Sequence, residues 1–169
     1  VQQKHTNLVV DVVIWCLNVI NKFMKAALAE AKKAYMIAEV PVGAVIVYNN
    51  KIIARGHNTR ETNQSVLGHA EINAIKKASK KIGSWRLEDC DIYVTLEPCP
   101  MCSGAIIQSR IKNLYFGAYD LKGGACGSVL NLFEHPFNHK VNVTGGVMEM
   151  ECSRIIKDFF KELRQKNVD

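Results

Sequence analysis

The sequence predicts an α/β protein, a three-layer α/β/α sandwich in which a mixed five-stranded sheet lies between helices. Three observations point there. Two apolar segments, residues 42–48 and 51–57, are joined by Asn49-Asn50, a pair suited to the positive φ of a tight hairpin. Helix-like and strand-like segments then alternate to the end of the chain. The chain has 169 residues, 48% hydrophobic and 22% charged, enough to bury one continuous core without disulfide staples.

The elements follow in order. Residues 1–22 are the least informative part. Leu8, Val12, Trp15, Val19 and Phe23 recur at helical steps and could lengthen the next helix, but the many β-branched residues argue weakly against it. We therefore treat 1–22 as an extension and 23–169 as the domain. Residues 23–37 are rich in alanine and lysine and read as helix. After the hairpin, residues 68–82 read as a helix with Ile72, Ile75 and Ile82 inward and Gly83 in the stop position. Residues 91–96 form a strand. Residues 99–109 form a small-residue helix with Pro98 and Pro100 near its first turn, where proline is tolerated. A strand at 114–117, a short helix at 129–133 and a last strand at 141–144 complete the sheet. The terminal helix carries Cys152, Ile155, Ile156, Phe159, Phe160 and Leu163 as one apolar stripe.

Composition excludes wholesale disorder. Lysine and arginine number 22 against 16 acidic residues, and the net charge of +6 permits a polyanionic partner such as RNA without requiring one. The six cysteines do not form the dense set of a secreted scaffold, so a reducing, cytoplasmic setting is expected. The apolar run 8–20 is interrupted by Asp11 and Asn18 and is expected to be too short to span a bilayer. The lysines at 76, 77, 80 and 81 fall opposite the isoleucine stripe, which a solvated helix face explains.

The chemistry gathers in His69-Ala70-Glu71 and Pro98-Cys99-Pro100-Met101-Cys102, each at the start of an expected helix. Two cysteines three apart on a first turn put both sulfurs on one side, and the helix N-terminus favours their metal-binding thiolate form. Zinc takes such sulfurs at about 2.3 Å and a histidine nitrogen at about 2.0 Å. Three protein ligands leave a fourth position for water, the mark of a catalytic site. Glu71 is then free to handle protons. A lone C-x-x-C is often a redox pair, and a lone helical histidine is often only packed. The joint pattern H-x-E…P-C-x-x-C is instead the signature of zinc-dependent nucleobase deaminases.

On these residues the chain resembles the cytidine-deaminase-like superfamily and, within it, the bacterial tRNA adenosine deaminases. The resemblance runs from Phe23 to the C-terminus. Besides the zinc motif it rests on Glu39-Val40-Pro41-Val42-Gly43-Ala44, Ser103-Gly104-Ala105, Ser109-Arg110-Ile111, Phe116-Gly117-Ala118-Tyr119-Asp120 and Gly124-Ala125-Cys126-Gly127-Ser128. The segment 39–44 and the loop 120–128 point to the tRNA branch.

The resemblance implies a cytidine-deaminase-like fold and one zinc ion per chain on His69, Cys99 and Cys102. It implies hydrolysis of a wobble adenosine to inosine, with Glu71 carrying protons from the attacking water to the purine ring and then to the leaving ammonia. It further implies that Asn58 and the Ala70 backbone hold the base, that Leu96, Glu97 and Pro98 line the pocket, and that Asp120 meets an anticodon-loop sugar. A tRNA anticodon stem-loop as partner, a homodimer and the absence of a membrane role belong to the same set of expectations. The loop 134–139 departs from the family's forms. Two rival readings are a deaminase for a free base or nucleoside, and a zinc-stabilised RNA-binding module. The second needs a fourth protein ligand, such as Cys126 or His57, and leaves Glu71 unused.

Overall fold

Alternate residues of β1 (Gly43–Tyr48) are buried on opposite faces, Val45 and Val47 against one group of side chains and Ala44 and Ile46 against another. A strand apolar on both faces must be covered on both, and the computed structural model shows how. It describes the backbone of residues 2–166 and the side chains of residues 9–166; Val1, the Leu8 side chain and the last three residues of the expected domain lie outside.

The sheet has the order β2-β1-β3-β4-β5. Its other strands are β2 (Lys51–His57), β3 (Cys90–Leu96), β4 (Asn113–Ala118) and β5 (Asn142–Thr144). β1 pairs antiparallel with β2 and β3, while β3–β4 and β4–β5 are parallel, so the sheet is mixed as expected. Asn49 and Asn50 both adopt positive φ, 48° and 56°, and close the hairpin.

Helices α2 (Ala70–Ile82) and α3 (Pro100–Gln108) cover one face, where Ala74, Ala78, Ile106 and Ile107 meet Ile46, Val94 and Leu114. Helices α1 (Gln2–Met36) and α4 (Glu149–Lys166) cover the other, where Phe23, Met24, Ala27 and Cys152 meet Val45, Val47 and Tyr93. The result is a three-layer α/β/α sandwich.

Two glycines set how close the layers lie. A Cβ on Gly43 would collide with the Ala27 carbonyl and the Ala31 amide of α1, and one on Gly56 with the Ala70 carbonyl and the Ala74 amide of α2. That approach corrects the inward face of α2. Its buried side chains are Ala70, Glu71, Ala74 and Ala78, whereas Ile72 and Ile75 are half-buried and Ile82 is exposed. Isoleucine is too bulky where backbones nearly touch.

Three further expectations change. The short helix at 129–133 is a single 3₁₀ turn, Leu132–Glu134. The stripe on α4 holds at Cys152 and Phe159 but fades, with Phe160 and Leu163 exposed. Finally, α1 is continuous from Gln2, because the apolar steps of residues 12–23 carry straight into the alanine-rich segment. The stretch Val9–Met36 is consequently long and apolar enough to cross a membrane by length and composition, where the run 8–20 alone was not. Its distal part buries Met24, Ala27, Ala31 and Ala34 in the fold, while Val9 to Ile14, Trp15 and Leu17 are exposed.

Candidate active site and metal centre

The sheet topology brings six parts of the chain to one end. The register of Gly43 with His57 puts the approach to β1 beside the residue after β2, Asn58. Ala44 opposite Val94 puts both next to the end of β3, and Leu96 opposite Ala118 adds the end of β4. The N-termini of α2 and α3 complete the group. Partial positive charge and free amide donors thus meet at the sheet's edge.

His69 and Cys99 are the N-cap residues of α2 and α3, yet neither side chain caps its helix. Serine, threonine, asparagine or aspartate there would typically add about 1 kcal/mol of stability over alanine. Instead the extended backbone at both caps (ψ 149° and 171°) aims the two side chains at each other. His69 Nδ1 lies 3.7 Å from Cys99 Sγ and 3.4 Å from Cys102 Sγ. Ligands at zinc bond lengths around a tetrahedral ion would place nitrogen and sulfur about 3.6 Å apart. The spacing therefore fits, and the three groups could hold a metal.

The electrostatics suit a cation. Hydrogen bonding from Cys102 is the main influence on Cys99, against the opposing effect of burial and with help from His69, and pulls its thiol down to about 4. Cys102 is pushed far up, first by that same bond and then by burial, so its thiol keeps a proton that a cation would displace. His69 is held above its ordinary value, chiefly by its bond to Cys99. Among the described residues no fourth ligand joins the group. Cys126 Sγ sits by the Ser103 hydroxyl at 3.8 Å, and His57 Nδ1 faces Glu30 at 3.2 Å. The RNA-binding module with a four-ligand zinc thereby loses the ligands it required.

Glu71, on the first turn of α2, is 4% exposed, and burial raises its carboxyl above the usual range. A proton carrier working near neutral pH is built this way.

These groups open into a pocket of about 180 Å³. Of the residues expected there, Asn58, His69, Ala70, Glu71, Leu96, Glu97, Cys99 and Asp120 line it. Cys102 is fully buried behind them. Pro98 is buried too, its carbonyl accepting from the Ala125 amide at 2.8 Å and the Ser103 hydroxyl at 3.3 Å. A groove of about 760 Å³ between α1 and α4 is larger, but the possible metal-ligand cluster lies at the smaller pocket.

The side chains not anticipated are Glu39, Val40, Val42, Arg60 and Glu61. For Glu39 the signal was present: an acid on the approach to an apolar strand, inside the segment 39–44.

Glu97 has a structural task beyond lining the wall. Its Oε1 accepts from the amides of Cys126 (2.9 Å) and Ser128 (3.1 Å), and its Oε2 from the Asp120 amide (3.0 Å) and the Ser128 hydroxyl. Burial opposes the charge, but these donors hold the carboxyl below its ordinary value. The anchor is complete above about pH 4.5, the ordinary value, and is lost as pH falls through the lower folded value. Glu97→Gln replaces one acceptor oxygen by an NH₂ facing donors, so we expect a loss of about 1–3 kcal/mol and faster amide exchange at Cys126 and Ser128. Unchanged protection in that variant would contradict the anchor.

Residues 19–164 match the family model described as MafB19-like deaminase. The chain is 53% identical over 145 residues to a tRNA-specific adenosine deaminase of Bacillus subtilis (strain 168), covering 85% of this chain and 90% of that one. It is 46% identical over 156 residues to a chloroplastic tRNA(adenine(34)) deaminase of Arabidopsis thaliana, covering 82% of this chain and 12% of that much longer one. A solved structure from work on A-to-I editing by tRNA:A34 deaminases at the wobble position of transfer RNA superposes with a TM-score of 0.77 at 44% identity. It covers 79% of this chain and 98% of its own.

Proposed function

This chain belongs to the MafB19-like deaminases and, within them, to the tRNA-specific adenosine deaminases, and from that premise we propose that it hydrolyses the wobble adenosine of a tRNA anticodon to inosine, releasing ammonia. The observation that carries the reading is the pairing of a cluster of three possible metal ligands with the buried carboxyl of Glu71 in one pocket.

One zinc ion per chain would sit on His69, Cys99 and Cys102. When bound, zinc lowers the pKa of water toward neutrality and so supplies the nucleophile. The chain's own groups do the rest. Glu71 takes a proton from the attacking water and delivers it to the ring nitrogen beside C6, which makes C6 electrophilic. It then takes the second proton from the hydroxyl now on C6 and passes it to the departing amine. Water and adenosine thus become inosine and ammonia, and Glu71 ends as it began.

Ala70 is the first residue of α2, so its N–H has no partner within the helix and is available to the base. The Asn58 amide can both donate and accept. A wobble base in a single-stranded loop can enter without breaking a pair. Asp120 uses Oδ1 in its own turn, accepting from Lys122 and Gly123, which leaves Oδ2 without a partner among the described residues for a ribose 2′-hydroxyl.

The proposal extends to a cytoplasmic setting and a homodimer. Six free cysteines support a reducing compartment. Val66, Leu67, Leu121 and Val129, exposed on the loops that supply Arg60, Glu61 and Asp120 to the pocket, support a covered face.

The test compares initial rates on an RNA anticodon hairpin, its DNA counterpart and free adenosine at fixed salt. The RNA hairpin should be far the best. Losing the sugar contact to Asp120 should cost the DNA hairpin about 1–3 kcal/mol, several-fold to more than a hundredfold. Equal rates on free adenosine would favour a small-molecule deaminase; equal rates on DNA would remove only the role of Asp120.

A further inference from the structure

Glu39 lies four residues before β1, is 1% exposed and forms part of the pocket wall. Its two oxygens have different tasks. Oε1 accepts from the Thr62 amide at 2.6 Å, while Oε2 accepts from Asn58 Nδ2 at 3.3 Å. Asn58, 8% exposed, lines the same pocket.

An amide side chain has two nearly isosteric orientations, and it presents a donor in one where it presents an acceptor in the other. An ionised carboxylate can only accept. Burial disfavours that charge, but the Thr62 and Glu61 donors, with Arg60 nearby, hold Glu39 ionised below the usual range. The atom of Asn58 facing Glu39 must then be nitrogen. One N–H is tied to the carboxylate, and the second is left for the pocket. Adenine's ring nitrogens are acceptors, so a donor suits them; the flipped amide would set its oxygen against a ring lone pair.

The Thr62 amide bonds Oε1, and glutamine also has one oxygen to offer it. Fixing the amide requires the second oxygen, which glutamine lacks.

We propose that Glu39 is a positioning residue that locks the Asn58 amide as a donor toward the base and thereby sets which base edge the pocket accepts. The inference rests on the adenosine reading above. Glu39→Gln keeps an oxygen for Thr62 but turns an NH₂ toward Asn58, favouring the flipped amide.

The experiment is a double-mutant cycle in the zinc-loaded full chain with Glu39→Gln, Asn58→Ala and both, measured on the RNA anticodon hairpin. It is joined by ¹⁵N spectra of the Asn58 side-chain amide, which need no substrate. Glu39→Gln should lower kcat/KM about tenfold to a hundredfold, with zinc content and Tm retained. In the Asn58→Ala background the same change should matter less than about twofold. The Asn58 NH₂ signals should shift in Glu39→Gln. Equal losses in both backgrounds would overturn the proposal and assign Glu39 to the Thr62 loop alone. An Asn58→Ala variant with normal kcat/KM would also overturn it while leaving deamination standing. If the parent chain fails on the hairpin, the substrate reading falls separately, and an unshifted Asn58 amide would overturn the tether itself.

Discussion

Glu71→Ala is expected to retain the fold and bound zinc while slowing deamination by about 10²–10⁴-fold, the usual contribution of a positioned acid–base group. Glu71 is not one of the three groups whose atoms converge as possible ligands, so its loss should leave the metal content unchanged. Its carboxyl is buried, and that burial raises its pKa, which is a cost to the folded state. Removing it should therefore cost little stability. Metal analysis, thermal melting and single-turnover rates on the hairpin check the three parts separately. Near-normal turnover in this variant would take the proton-carrying role away from Glu71.

Serine at Cys99 or Cys102 should have an even broader effect, with zinc lost, activity at background and the melting temperature lowered together. A hydroxyl is a far poorer zinc ligand than a thiolate, and metal binding supports the local fold. The two cysteines sit at the N-cap and first turn of α3, whose other end packs Ile106 and Ile107 into the core, so the loss should be transmitted to that layer. Chelation of the unmodified protein should reproduce the same shift. A Cys102→Ser variant that kept stoichiometric zinc would contradict the three-ligand assignment.

The convergence of His69, Cys99 and Cys102 beside Glu71 was legible in the sequence because each half of the group is local. Cys99 and Cys102 share one helical turn, and His69 and Glu71 share another. The sheet was legible too, since Asn49-Asn50 and the alternating segments leave few arrangements.

Other features come from contacts distant in sequence. Glu39 reaches Asn58 across 19 residues, and Glu97 gathers donors up to 31 residues away. Nothing in either residue's local pattern announces those partners. The inward face of α2 differs from the expected isoleucine stripe for a related reason. Periodicity identifies an apolar stripe but not how near the facing strand lies, and Gly56 brings it close enough that alanine, not isoleucine, is the residue buried. At the N-terminus, β-branched residues weighed against helix; continuity with the packed segment beyond Phe23 prevails, because a helix already nucleated extends at little cost.

The central claim is that this pocket deaminates an adenosine presented by tRNA. Its most direct measurement is incubation of the zinc-loaded protein with unmodified total tRNA, followed by mapping of inosine and assay of released ammonia. Inosine at the wobble position of an anticodon and ammonia in equal amount are expected. No inosine in any tRNA, with ammonia released instead from a free base or nucleoside, would contradict it.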